Sequence, residues 1–330
     1  ALLFVAVAVI WFYLYARQKT EKQGIFSRYV LSEPEAWPDS AVAAAEAVRP
    51  ASDTYRVLVP LANPAHEKDL VALASAIARQ RGGTLVAVHV VEVPYQTPLE
   101  VGAEHAEELD TGSESLLEPA RRHAEAQGVE IETHTIFSHS AFPEIFEAAR
   151  THEADLVVLG WSEDSHGSPG RIEDLRTDLT RTLPCDFLVF KDRGFDPSRI
   201  LIATRAGPES KATAEMGRLF MDEFGSEVTI FHVIDEEAER IDAGTRIDEW
   251  RRTNGLDEAA QRIVVGRDVA DAIEEAAADH TLVLMGATEE GILTRLARGT
   301  PVLEVIDDLD VSVLMAERAR KRSVVERFFG

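Results

Sequence analysis

The chain is 330 residues long, 45% hydrophobic and strongly acidic, with 58 Asp and Glu against 34 Lys and Arg for a net charge of −24. That length holds two ordinary domains plus an extension. The charge leaves no basic face for nucleic acid, and the single Cys185 excludes an internal disulfide or a cysteine metal cluster.

Only six residues are Lys: Lys19, Lys22, Lys68, Lys191, Lys211 and Lys321. Acid excess with scarce Lys reads as a surface suited to concentrated salt, where screening tames self-repulsion. An acidic surface of no special meaning is the alternative.

Residues 1–15 carry no charge and no helix breaker. As a helix they span about 22 Å, short of the ~30 Å hydrocarbon layer. The chain does not begin with Met, so residues 1–16 read as the end of a longer transmembrane helix. Trp11, Phe12, Tyr13 and Tyr15 suit an interfacial belt, and Arg17, Lys19, Lys22 and Arg28 follow at once. Positive charge there places the downstream chain in the cytoplasm, at the cell membrane. A signal peptide fits poorly, because the positive charges come after the apolar run and no small-residue cleavage pattern follows. A buried soluble helix is the remaining reading. Residues 17–54, broken by Pro34, Pro38 and Pro50, read as a juxtamembrane linker with a short helix over 41–48.

The rest of the chain states one pattern twice. Residues 56–92 align without a gap on 199–235, matching Arg56 to Arg199, Lys68 to Lys211, Gly82 to Gly225 and His89-Val90 to His232-Val233. A second match sets 154–160 against 280–286, with the second copy shorter in its middle. The first copy reads as strand 56–61, helix 67–81, strand 84–93, an acidic stretch 99–127, strand 130–137, helix 141–152, strand 155–161, helix 174–182 and strand 187–190. The second reads as strand 199–204, helix 210–224, strand 227–234, a shorter acidic stretch 236–253, strand 260–265, helix 269–279, strand 281–286, helix 301–308 and strand 311–315. Uninterrupted Val and Ile runs alternating with helices predict parallel strands buried on both faces, in an open doubly wound α/β sheet. In such sheets a ligand lies beyond the carboxyl ends of the strands.

After the fourth strand of the second copy come Gly286, Gly291, Arg295, Arg298 and Gly299-Thr300, with Glu289 and Glu290 between them. With the repeated strands and helices, this resembles the universal stress protein family, over residues 55–316. The resemblance implies two tandem five-stranded domains of the adenine nucleotide alpha hydrolase-like class, at 55–192 and 193–317, with a tail at 318–330. The family's nucleotide binders carry a Gly, two residues, a Gly, nine residues, then Gly-Ser/Thr. The glycines let backbone amides approach phosphates, and the last pair opens a helix whose amino end favours an anion. The resemblance therefore points to Gly286, Gly291, Arg298, Gly299 and Thr300 as cofactor-binding residues for ATP or AMP, in the second domain only. Thr300 suits an N-cap and Pro301 the first helical turn. Three departures stand against it: Glu289 sits at the second glycine position, Glu289 and Glu290 repel phosphate, and the family's Asp after strand one is Ala62 in copy one and Arg205 in copy two. Copy one has Gly160, then Glu163, then Glu173-Asp174 in place of Gly-Ser/Thr. Asp174 would put a carboxylate where a phosphate sits, so no nucleotide is expected there.

A final membrane helix, basic residues and tandem stress-protein domains together look like the tail of an amino acid permease of the amino acid–polyamine–organocation type, as in salt-loving archaea. Sodium–proton antiporters carry similar tails. The expected function is a regulatory, nucleotide-sensing module whose partner is an upstream transporter domain, with a homo-oligomer as a further partner. A ligand-free dimerisation or docking module is the alternative.

No metal is expected. His134 and His139 face opposite sides of one strand and read as solvated or strand-end residues. His89 and His232 read as packed imidazoles bonded to backbone, with a place in the ligand crevice as the alternative. Cys185 reads as a core thiol. No Ser-His-Asp, Cys-His or Gly-x-Ser-x-Gly arrangement is present, and no general base or metal-binding carboxylate pair stands by the glycine segment, so an enzyme, even a slow nucleotide hydrolase, is not expected. The acidic runs 147–155 and 235–239 read as solvated surface, and the mixed-charge end 317–327 as a tail able to touch anionic headgroups.

Overall fold

The computed structural model describes residues 54–94, 113–161, 185–207, 210–286, 306 and 308–318. These lie in one compact unit, Thr54–Lys321. The segments 1–53, 162–184 and 287–305 lie outside the described residues, and with them the expected membrane helix, linker and helix 174–182. Of the expected helix 301–308, Ile306 and Asp308 alone are described, both helical.

The first half runs β1 (Arg56–Pro60), α1 (Pro64–Gln80), β2 (Thr84–Glu92), α2 (Ser113–Ala126), β3 (Ile131–Ser138), α3 (Ala141–Thr151), β4 (Leu156–Trp161) and β5 (Asp186–Lys191). The second runs β6 (Arg199–Ala203), α4 (Lys211–Phe224), β7 (Glu227–Ile234), a 3-10 turn (Glu237–Glu239), α5 (Arg240–Thr253), β8 (Ala260–Val265), α6 (Val269–Ala277), β9 (Leu282–Gly286) and β10 (Ser312–Glu317). All ten strands form one sheet, in the order β3-β2-β1-β4-β5-β10-β9-β6-β7-β8. Neighbours within each half are parallel. The halves meet at a single antiparallel pair, β5 on β10, with Val189 opposite Met315.

The inner strands are buried on both faces because their residues feed two separate cores in alternation; the outer strands β3 and β8 carry no fully buried residue, each having a neighbour on one side only. Val57 and Val59 point into one core and Leu58 into the other; Ile200, Ile202 and Leu201 repeat the arrangement. Helices α1, α2, α4 and α5 cover the first face with Leu73, Leu117, Phe220 and Ile247 among others. Helices α3 and α6 cover the second with Phe146 and Ile273. Both cores run unbroken across the seam through Leu188, Phe190 and Leu314 on one side and Phe187, Val189 and Val313 on the other.

Local chemistry sets the helix ends. Asn63 caps α1, accepting from Ala65 N at 3.0 Å, and Pro64 opens it. Gly82 follows α1 and Gly225 caps α4, both with left-handed φ near 60° (62° and 65°), a conformation that costs a Cβ-bearing residue more.

The acidic stretches are more ordered than their charge suggests. Within 99–127 lies α2, which buries Leu116, Leu117, Ala120 and Ala124; within 236–253 lies α5, which buries Ala243, Ile247 and Trp250. The run 147–155 is likewise half core, with Ala148, Ala149 and Ala154 buried, whereas 235–239 is solvent-exposed throughout.

Polar contacts fasten the seam, and one of them is buried. Ser312 Oγ, at the start of β10, accepts from Arg193 N and donates to the Gly194 carbonyl. A lysine adds the buried one. Lys191, at the end of β5, is 1% exposed. Its Nζ donates to the carbonyls of Ile306 (2.6 Å) and Leu309 (3.0 Å), just ahead of β10. At the matching register position of the second half stands Glu317, also buried.

Candidate nucleotide crevice

In each half the first and fourth strands are neighbours, and the chain leaves them toward opposite flanks of the half-sheet. That is a topological switch point, which opens a crevice at the carboxyl ends of the strands. In the second half the crevice lies over β6 and β9, paired as far as Ala203 with Met285.

Gly286 ends β9, half-buried, and pairs with Ala316 of β10. It lies at the mouth of the crevice. Gly291, Arg298, Gly299 and Thr300 lie outside the described residues, so of the five expected contact residues the structure places Gly286 alone. The opposite wall is the turn after β6. Thr204 Oγ1 donates to Ser210 Oγ at 2.7 Å and accepts from Ala206 N at 2.9 Å, holding Ala206 at a left-handed φ of 57°. Arg205 is exposed beside it.

His232 locks this wall. Its Nδ1 donates to the Thr204 carbonyl at 2.8 Å, and its Nε2 accepts from Arg246 at 3.0 Å. Those partners require the neutral ring protonated on Nδ1. Burial first, then the charges of Arg246 and Arg205, hold its pKa below the ordinary 6.5, against the pull of the Thr204 bond and Glu239. In the first half His89 makes the matching backbone contact, its Nδ1 on the Leu61 carbonyl at 2.7 Å. Both histidines are thus the backbone-bonded imidazoles that their repetition suggests. His139 also bonds backbone, at Val93 O, 2.9 Å.

The first-half crevice, over β1 and β4, differs. Ala62 stands where Arg205 does, and Gly160 is exposed with only ordinary contact, 3.6 Å to Leu70, awaiting a Cβ. Glu163, Glu173 and Asp174 lie outside the described residues. Cys185 is buried in the core, and burial pushes its thiol up to about 12, in keeping with an inert core residue. Among the described residues no helix is long and apolar enough to cross a membrane.

Comparison with known proteins agrees with this geometry. Residues 54–191 match the Universal stress protein family. No curated protein matches the chain. A universal stress protein from Archaeoglobus fulgidus DSM 4304 has a similar structure, at a TM-score of 0.59 and 18% identity, over 81% of this chain and 97% of its own. The cytoplasmic domain of a prokaryotic cation chloride cotransporter is similar at a TM-score of 0.55 and 10% identity, over 83% of this chain and 99% of its own. A universal stress protein from Archaeoglobus fulgidus in complex with dAMP is similar over 32% of this chain and 80% of its own, at 20% identity and a TM-score of 0.27. The family match and the first two likenesses show a stress-protein fold with a mainly parallel sheet.

One pair of residues escaped the sequence reading. His134 is near not His139 but His152, the residue that ends α3; their ring centroids are 4.3 Å apart. Only tertiary packing brings a strand and a helix end together this way, so no spacing in the chain announces it.

Proposed function

We propose that the chain is a regulatory module of two stress-protein domains, 55–192 and 193–317, whose second domain senses an adenine nucleotide, ATP or AMP. The observation that carries this reading is the second switch point, where β9 ends on Gly286, the turn after β6 carries Arg205, and His232 joins that turn to Arg246. The exposed guanidinium groups of Arg205 and Arg246 favour an anion, and the resemblance expects the amides at Gly299-Thr300 to meet phosphates. The first domain lacks both the Arg and the terminal Gly-Thr. Bound nucleotide would shift the module's contacts.

The module's partner in this reading is a membrane transporter, of amino acids, reached through residues 1–16 and the linker 17–54, with both domains in the cytoplasm of a halophile. A fold that also serves as the cytoplasmic domain of a cation chloride cotransporter supports the assignment to a transporter tail. No catalytic step is assigned.

Titration of the purified full chain with ATP and AMP in concentrated KCl tests the sensor. Saturable binding and a raised melting temperature are expected, and Gly299→Asp, which places a carboxylate at the phosphate position, is expected to abolish both. Absence of any binding or thermal shift in the unmutated chain would reject nucleotide sensing and leave the ligand-free docking module, with or without a homo-oligomer.

A further inference from the structure

Glu132, His134 and His152 converge at the amino ends of the strands, at the opposite end of the sheet from the crevice. Glu132 and His134 share one face of β3, the outer strand of the sheet, and His152 ends α3. One donor atom from each lies within 4.8 Å of the other two. His134 Nε2 is buried, makes no hydrogen bond, and stands 3.7 Å from Glu132 Oε2, beyond hydrogen-bond range. A buried ring nitrogen without a partner is a cost that a ligand would relieve.

An arginine stands beside the carboxylate. Arg56 Nη2 lies 4.0 Å from Glu132 Oε1, and Arg56 Nη1 donates to the His152 carbonyl at 3.3 Å. The arginine thus ties the strand bearing Glu132 to the helix end bearing His152, and leaves Oε2 turned toward the imidazoles.

The fold does not demand these residues. The alignment of the halves puts Val86 on Thr229 and Val88 on Phe231; their strand partners are Glu132 and His134 in one half, Ala260 and Arg262 in the other. Ala278 stands where His152 does. The second half therefore builds the same corner from Ala260, Arg262 and Ala278, with Arg262 lying over the Phe231 ring instead.

From this geometry we propose that Glu132, His134 and His152 form a binding site for a divalent transition metal of the zinc type. Two imidazoles and one carboxylate are the donor set that borderline cations prefer, whereas magnesium and calcium take oxygen-rich sites. Tetrahedral Zn–N bonds of about 2.0–2.1 Å put donors about 3.3–3.5 Å apart, so closing from the present spacing takes a side-chain movement of roughly an ångström. Glu132 is exposed and both histidines are half-buried. The site lies at the opposite ends of the strands from the nucleotide crevice.

Zinc titration of the untagged full chain in chelator-free buffer tests this by calorimetry, with bound metal counted after dialysis. One zinc per chain is expected, with a raised melting temperature. His134→Arg and His152→Ala, which install the second half's own residues, are each expected to weaken binding by more than about tenfold, a loss that even a supporting partner of a metal site produces. Circular dichroism and melting without metal verify that both variants fold. Failure to bind zinc at micromolar concentration, or equal zinc affinity in folded His134→Arg and His152→Ala, would overturn the site and leave the two rings as a packed pair.

Discussion

His232 ties the residue scale to a measurable pH response. The folded state holds this imidazole neutral, between the Thr204 carbonyl and Arg246, with its pKa lowered first by burial. The unfolded chain takes up a proton near the ordinary value of 6.5 while the folded one does not. The unfolded state then binds more protons, so the contribution is intact above that value and is lost as pH falls through it. Urea midpoints measured at pH 7.5 and pH 5 should therefore show a loss on acidification, and His232→Gln should reduce that loss. Part of the dependence will remain, because His152 is lowered in the same direction, chiefly by its burial. An equal pH response in the variant would show that the ring is not held as described.

Elements explain both what was readable and what was not. Strands β1 and β6 fall where the apolar runs put them, at 56–60 and 199–203, because buried parallel strands show in composition alone. Helices α2 and α5 were hidden, since charged exposed faces dilute the apolar stripe that sits on the core. The pairing of β5 with β10 could not be read at all: an antiparallel contact between two distant strands leaves no periodic trace. Nor could the role of Lys191, which looked like one more scarce lysine and proves to be buried, with its Nζ on two carbonyls that precede β10. Lys191→Ala should lower stability by about 2–4 kcal/mol, through a cavity and two orphaned carbonyls. Urea unfolding would measure it, and a change within a few tenths of a kcal/mol would mean that water replaces the ammonium. Of the expected nucleotide residues only Gly286 meets described structure, whereas the metal cluster arises from packing that one-dimensional spacing cannot encode.

At the scale of the whole molecule, charge dominates. A net charge of −24 repels itself within one compact unit, and salt shortens the reach of that repulsion from about 10 Å at 0.1 M to about 3 Å at 1 M. The melting temperature should accordingly climb by several degrees between about 0.1 and 1 M KCl, a shift of about 1–2 kcal/mol for a domain of this size. Calorimetric scans across that range would check it, and a flat or falling profile would count against salt adaptation.

The antiparallel join of β5 and β10 also has an evolutionary reading. Because it couples twins carried on one polypeptide, their association survives any dilution, governed by tether geometry rather than by abundance. Twins permanently wed in this way are released from the obligation to stay identical. One can set two imidazoles and a carboxylate at its far rim where its sibling carries Ala260, Arg262 and Ala278, a divergence closed to a symmetric pair built from two copies of one gene product.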